Sequence, residues 1–303
     1  TPMPLDELVN DKGRDLLRKD KYFAQAMRNF EFLSFSEKYL AGSWNFLSYF
    51  GRDTLIALRI MWQVLSRRAK QAGIQSVVNE ISDDGIVNVT DEWTDDRTVM
   101  NAVEVFFREY DRGRVDGARQ IMKTVLEGDV PEHPFLDVLD QTFMFPSAAA
   151  HWFKELDDGI LRKWLKEDHK VLGRTESNLV TLLRNWNYIL KSASPYIEAW
   201  RPLRANHPGL TPQQIIESHK DEFRETGKAL VYSVAGAANW RDTYNLPWHF
   251  KSEDINVNLL PMAVEAIQGM VERIDAAGDR PCLVEFSKKY SLDVMGGYLE
   301  EPG

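Results

Sequence analysis

"FLSYFGRDTLIALRIMWQVL", residues 46–65, decides how this chain is read. From Leu55 to Leu65 the run is apolar nearly all round, the pattern of a helix covered on most sides. Immediately before it stand Gly51, Arg52 and Asp53. One reading is a plain helix start, with Gly51 making the bend, Asp53 in the first turn near the free N–H groups, and Arg52 paired to it. The other is that Arg52 and Asp53 are displayed for a ligand. The rest of the chain has to separate the two.

Helical spacing extends outward from this stretch. Leu179, Leu182, Leu183, Trp186 and Leu190 follow the i, i+3, i+4 rule, as do Val99, Val103, Phe106, Phe107 and Tyr110, and Leu260, Ala263, Val264, Ile267, Val271 and Ile274. The pattern predicts helices near 5–17, 21–40, 53–66, 69–81, 97–110, 114–127, 141–156, 158–167, 177–198, 212–233, 256–275 and 281–290. No sustained period-2 segment stands out; "GIVNV" (85–89) reads at most as a short extended piece. With short turns and no low-complexity linker, residues 1–303 are expected to form one all-α domain. No solenoid repeat length is visible. The mixture of helices apolar all round with amphipathic ones fits a toroid of alternating inner and outer helices.

Composition bounds the function. Acidic residues outnumber basic ones, 46 to 37, for a formal charge of −9, which argues against a general affinity for nucleic acid or anionic membrane. No apolar run approaches the roughly 20 residues that span a bilayer. Cys282 is the single cysteine, so an internal disulfide and multi-thiolate metal sites are excluded; it reads as a small core side chain. His133, His151 and His249 lack i, i+4 metal spacing, so neither metal nor cofactor is expected. "NVT" (88–90) has the form of a glycosylation sequon, and the chain starts at Thr1 rather than Met. The compartment stays open, with the cytoplasm as the default. Nine Trp and ten Tyr, several beside Asp, Asn and Arg, suit the stacking faces and hydroxyls of sugars, although Trp is also a core residue.

Five polar–aromatic clusters precede expected helices: "YFGRDT" (49–54), "NVTDEWTDDRT" (88–98), "FLDVLDQTF" (135–143), "GAANWRDTYNLPW" (236–248) and "EDINVN" (253–258). In a toroid, the N-terminal ends of the inner helices point to one mouth, where free N–H groups and partial positive charge suit carboxylates and hydroxyls. Each cluster alone reads as a cap and turn; five together suggest a shared pocket.

In order, "YFGRDTLIAL", "EISDDGIVNVTDEW", "FLDVLDQTFMF", "ANWRDT" and "DINVNLLPMAVEAI" resemble the (α/α)6-barrel glycoside hydrolases. They are most similar to the amylo-α-1,6-glucosidase domain of glycogen debranching enzymes and its glucoamylase- and trehalase-like relatives. The likeness spans roughly residues 22–275. It implies an all-α (α/α)6 toroid, incomplete at its C-terminal end. The implied activity is cleavage of an α-linked glucoside with inversion, on an oligosaccharide or glucoside substrate. By this resemblance Asp242 matches the general acid. Arg52 and Asp53 match residues holding sugar hydroxyls, Asp140, Trp240 and Arg241 match substrate-contacting positions, and Asn256 lies where the next inner helix is ordered. Asp242, flanked by Trp240 and Tyr244, suits a carboxyl kept protonated by an apolar wall, and equally a salt bridge to Arg241. The family's glutamate base has no counterpart in "YSLDVMGGYLEEPG" (290–303), and the base is unassigned. The alternative is a non-catalytic carbohydrate-binding or scaffold protein that keeps the toroid. An α-solenoid interaction protein is a third class. A terpene-cyclase-like barrel is a fourth, opposed by the lack of a D-D-x-x-D cluster on an apolar helix.

Overall fold

The computed structural model describes residues 2–35, 38–40, 49–88, 106–107, 109–110, 112–127, 140–172, 174–221, 255–292 and 299. These are mostly helical. In chain order they form α1 (Leu5–Leu8), α2 (Asp11–Lys19), α3 (Lys21–Leu33), α4 (Gly51–Met61), α5 (Arg67–Val78), α6 (Val115–Glu127), α7 (Asp140–Glu155) and α8 (Asp158–Lys166). There follow strands β1 (Asp168–Val171) and β2 (Arg174–Ser177), then α9 (Asn178–Asn206), α10 (Pro212–Ser218), α11 (Ile255–Ala276) and α12 (Arg280–Lys289). An all-α class therefore holds, with one small antiparallel hairpin added to it.

Caps explain most helix starts. Asn10, Asp20, Ser66, Asp157 and Ser177 each accept a first-turn N–H through a side-chain oxygen. Thr211 and Gln214 form a reciprocal capping box on α10. The Asn10 cap also explains why the helix expected over 5–17 is broken: Val9 pairs with Leu65, and Asn10 starts a new helix. The helix expected over 21–40 stops at Leu33. Beyond it, Ser34 pairs with Tyr39 and Leu40 with Tyr49, while the Tyr39 hydroxyl donates to Ala69 O and its ring packs edge-on against Phe30. Burial of Tyr39 outweighs the helical periodicity there.

The hairpin was not legible as strands. Asp168 pairs with Ser177 and His169 with Glu176, and Val171 is the lone buried apolar side chain of the two strands, so alternation carries little hydrophobic signal. The helix expected over 69–81 ends at Val78, after which Ile81 pairs with Val87 and folds the 82–88 loop back. The helix expected over 177–198 continues to Asn206. Most of the helix expected over 97–110, and residues beyond 221 of the one expected over 212–233, lie outside the described residues.

At the centre of the core lies α7. Its Phe143, Phe145, Ala149, Trp152 and Phe153 are buried, and it packs on α4, α5, α9 and most extensively on α11. Arg52 at the start of α4 reaches Asp140 at the start of α7, while Trp62, just past the end of α4, donates to Glu155 at the end of α7. The two helices are therefore parallel. Near the end of α11, Arg273 donates to Leu156 O and Asp158 Oδ1 just past α7, so α11 runs the same way. Three helices thus form a parallel layer whose N-termini share one end. One expectation is corrected: α4 is not enclosed on most sides, since Ile56 is 40% and Ile60 72% exposed.

Candidate functional site

The shared end of α4 and α7 is the place where motif residues meet. Phe50 caps α4 without a side-chain hydrogen bond, so the helix begins at Gly51 with Arg52 and Asp53 in its first turn. The chain passes close at Gly51: a Cβ there would lie 3.3 Å from Asn88 O, tight enough that the loop would have to give by a few tenths of an ångström, and 3.7 Å, an ordinary contact, from the Gln141 side chain. Arg52 Nη1 donates to Asp140 Oδ2 at 2.8 Å across 88 residues of sequence, and the two side chains are only 12% and 4% exposed. Asp140 Oδ1 also accepts from the Gln141 amide at 2.9 Å, a placement that the helix N-terminus favours. Arg52 therefore ties α4 to α7, while its charge also acts on the neighbouring Asp53.

Asp53 stands beside this pair at the surface. Partial burial pushes its carboxyl above the usual range, and this outweighs the nearby Arg52 charge and a backbone hydrogen bond, both of which pull it down. Among the described residues this end therefore combines a nearly enclosed ion pair with the exposed carboxylate of Asp53.

Loop 82–88, the "SDDGIVN" part of the second motif, closes over the same helix starts. Val87 N donates to Thr142 Oγ1 at 3.0 Å, and Gln141 Nε2 donates to Val87 O at 3.1 Å. Gly85 has φ +87°, and a Cβ there would come within 2.2 Å of Arg184 O, so the loop lies hard against α9. Asn185 Nδ2 of α9 donates to Gly85 O at 2.9 Å. Tyr188, one turn on, has its ring 6.3 Å from that of Phe143, and burial followed by the Asp84 charge raises its hydroxyl pKa.

The structure thus brings together Arg52 and Asp140, with Asp53 beside them. Trp240, Arg241 and Asp242 lie outside the described residues, as do most of residues 88–98. Asn256 belongs to the first turn of α11. Four residues not singled out from sequence also bear on this end: Glu176, Arg184, Asn185 and Tyr188. A signal for Asn185 did exist, because a polar residue interrupts the stripe of Leu182, Leu183, Trp186 and Ile189, all buried.

A second polar group marks the other end of the layer. Lys70 Nζ meets Glu155 Oε1 at 2.5 Å and sits 4.8 Å from the centre of the Trp62 ring, whose N–H also binds Glu155. His151 packs on the same ring at 5.8 Å. This arrangement ties α4, α5 and α7 together.

Among the described residues no group of three or more His, Cys, Asp or Glu is placed to hold a metal ion, and no helix is long and apolar enough to cross a membrane. Comparisons with family models, with curated proteins and with solved structures found no match to this chain.

Proposed function

We propose that this chain is a glycoside hydrolase of the helical-toroid type that cleaves an α-linked glucoside with inversion. The observation carrying the proposal is the meeting of three motif segments at one end of the parallel layer. Arg52 and Asp53 come from the first, the 82–88 loop from the second, and Asp140 from the third, although they are far apart in sequence. Separate caps and turns give no reason for such convergence; a saccharide subsite does. In this reading α4, α7 and α11 are inner helices of the toroid, and their N-termini form its mouth.

Each residue then has a role. The Asp53 carboxylate accepts hydrogen bonds from sugar hydroxyls, while the Arg52–Asp140 pair fixes the position of Asp53 and contributes its own polar edge. Trp240 stacks on a sugar face, and Arg241 contacts the substrate. Asp242 protonates the departing glycosidic oxygen as a carboxylate on the opposite face activates water, about 6.5–9.5 Å away. That base is unassigned.

The test compares two substrate types on the wild-type chain and Asp242→Asn. Oligosaccharides with poor leaving groups should lose turnover by on the order of 10² to 10⁴ in the variant. An α-glucosyl fluoride, whose leaving group departs without protonation, should lose much less, and NMR should show the β-anomer released first. Equal losses on both substrates, together with a sharply lowered melting temperature, would make Asp242 a structural partner of Arg241.

One observation favours a second reading, a non-catalytic saccharide-binding protein. Arg52 and Asp140 already neutralise each other, which suits holding a ligand more than acid–base work. Saccharide binding without turnover of either substrate selects this reading.

A further inference from the structure

The 82–88 loop is held from behind by a buried charge network that the proposed chemistry does not use. Glu176 of β2 is buried. Its Oε1 accepts from Thr181 Oγ1 at 3.0 Å and Arg174 Nη2 at 3.3 Å, and its Oε2 accepts from Arg184 Nε at 3.2 Å. Both arginines reach on to the loop. Arg174 donates to Ile81 O at 3.0 Å and pairs with Asp83 Oδ1 at 3.0 Å, while Arg184 Nη1 donates to Asp83 O at 3.3 Å. One carboxylate therefore orients two guanidinium groups that grip the loop's entry.

The next residue on α9 grips the loop's middle. Asn185, fully buried, donates to Gly85 O at 2.9 Å and makes a longer contact of 3.5 Å to Thr142 O. Pro146 lies inside α7 and has no N–H for the carbonyl four residues before it, which is that of Thr142. Asn185 supplies a donor for that released carbonyl, so one amide ties the loop to the first turn of α7. The loop in turn meets Gln141 and Thr142 and approaches Gly51, on either side of the Arg52–Asp140 pair.

We infer that Glu176, Arg184 and Asn185 are positioning residues: they set where the 82–88 loop closes on α4 and α7, and through it the geometry of the saccharide subsite around Arg52, Asp53 and Asp140. The hairpin that supplies Glu176 is then the subsite's outer brace. The inference rests on the proposed saccharide site for its ligand, but its mechanical part stands on the contacts alone.

The experiment uses the full chain as wild type, Glu176→Gln, Glu176→Asp and Asn185→Ala, with maltotriose as the probe. Calorimetry gives affinity, and hydrogen exchange follows residues 51–54, 85–88 and the distant α2–α3 pair. Glu176→Gln and Asn185→Ala should weaken maltotriose binding about tenfold, within the range for residues acting through packed intermediates, and Glu176→Asp should recover most of it. Exchange should rise at 85–88 and 51–54 and stay unchanged in α2 and α3. A loosened loop with affinity within twofold of wild type overturns the inference, as does unchanged exchange at 51–54. A uniform rise across the whole chain also overturns it, because these residues are then mere struts. If wild type fails to bind maltotriose, the saccharide reading falls, and the exchange pattern alone decides whether the brace positions the helix starts.

Discussion

Asp140→Ala tests the central tie most directly. It removes a carboxylate whose side chain is 4% exposed and takes one counter-charge from the Arg52 guanidinium, itself 12% exposed. Breaking a buried pair from one side costs roughly 3–5 kcal/mol. Arg52 keeps other interactions, so the lower end, ~3 kcal/mol, is the expectation. A chain of 303 residues unfolds with roughly 0.6 kcal/mol/K of entropy, so the melting temperature should fall by about 5 °C. The clean measurement is a double-mutant cycle in urea with Arg52→Met, Asp140→Leu and the double variant, at matched denaturant slopes. A coupling energy of about 2 kcal/mol is expected, with the double variant more stable than either single one. Coupling below about 0.5 kcal/mol, the behaviour of exposed pairs, would refute the view that this pair fixes the two helix starts.

Other outcomes can be checked on the same footing. Gly85→Ala should destabilise by about 3 kcal/mol or more, because φ is +87° and the new methyl meets Arg184 O at 2.2 Å; thermal melting measures it. Asp53→Ala should leave stability nearly unchanged yet cost roughly 2–4 kcal/mol of transition-state stabilisation on an α-glucoside, read as kcat/KM. Burial depresses the pKa of His169 below 6.5, and likewise that of His151. The unfolded chain therefore binds protons that the folded one resists. Stability is complete above pH 6.5 and falls as pH drops through the depressed values, so His169→Gln should flatten urea midpoints between pH 7 and 5.

What sequence pattern revealed depended on whether burial and period coincided. The α7 and α11 helices were legible within a residue or two because their apolar residues recur at helical spacing and are buried. The helix expected over 21–40 misled, since beyond Leu33 the chain is held by the contacts of buried Tyr39 to Ala69 and Phe30. Ile56 and Ile60 misled in the opposite sense, being apolar yet exposed. Arg52, Asp53 and Asp140 stood out in the sequence because they precede apolar helices. Their pairing was not foreseeable, because nothing in "GRDT" states that Arg52 reaches across 88 residues to Asp140. Glu176 was missed because its strand is short and polar, so the usual alternation that flags a buried position is missing.

The parallel layer has a consequence for how the chain reaches its fold. Parallel helices cannot be joined by a tight turn, so α7 meets α4 and α11 only after long excursions of chain. The most extensive packing among the described helices, α7 on α11, is among their least local, and loop-closure entropy must be met before that contact contributes. Ribosomal synthesis sharpens the delay. While residues 255–276 are still to be made, α7, with its buried Phe145, Ala149 and Trp152, lacks the helix against which it packs most extensively among the described residues. The nascent chain therefore carries an apolar strip for as long as it takes to add about a hundred residues, ~5–20 s at common elongation rates, and chaperone dependence should be decided in that interval.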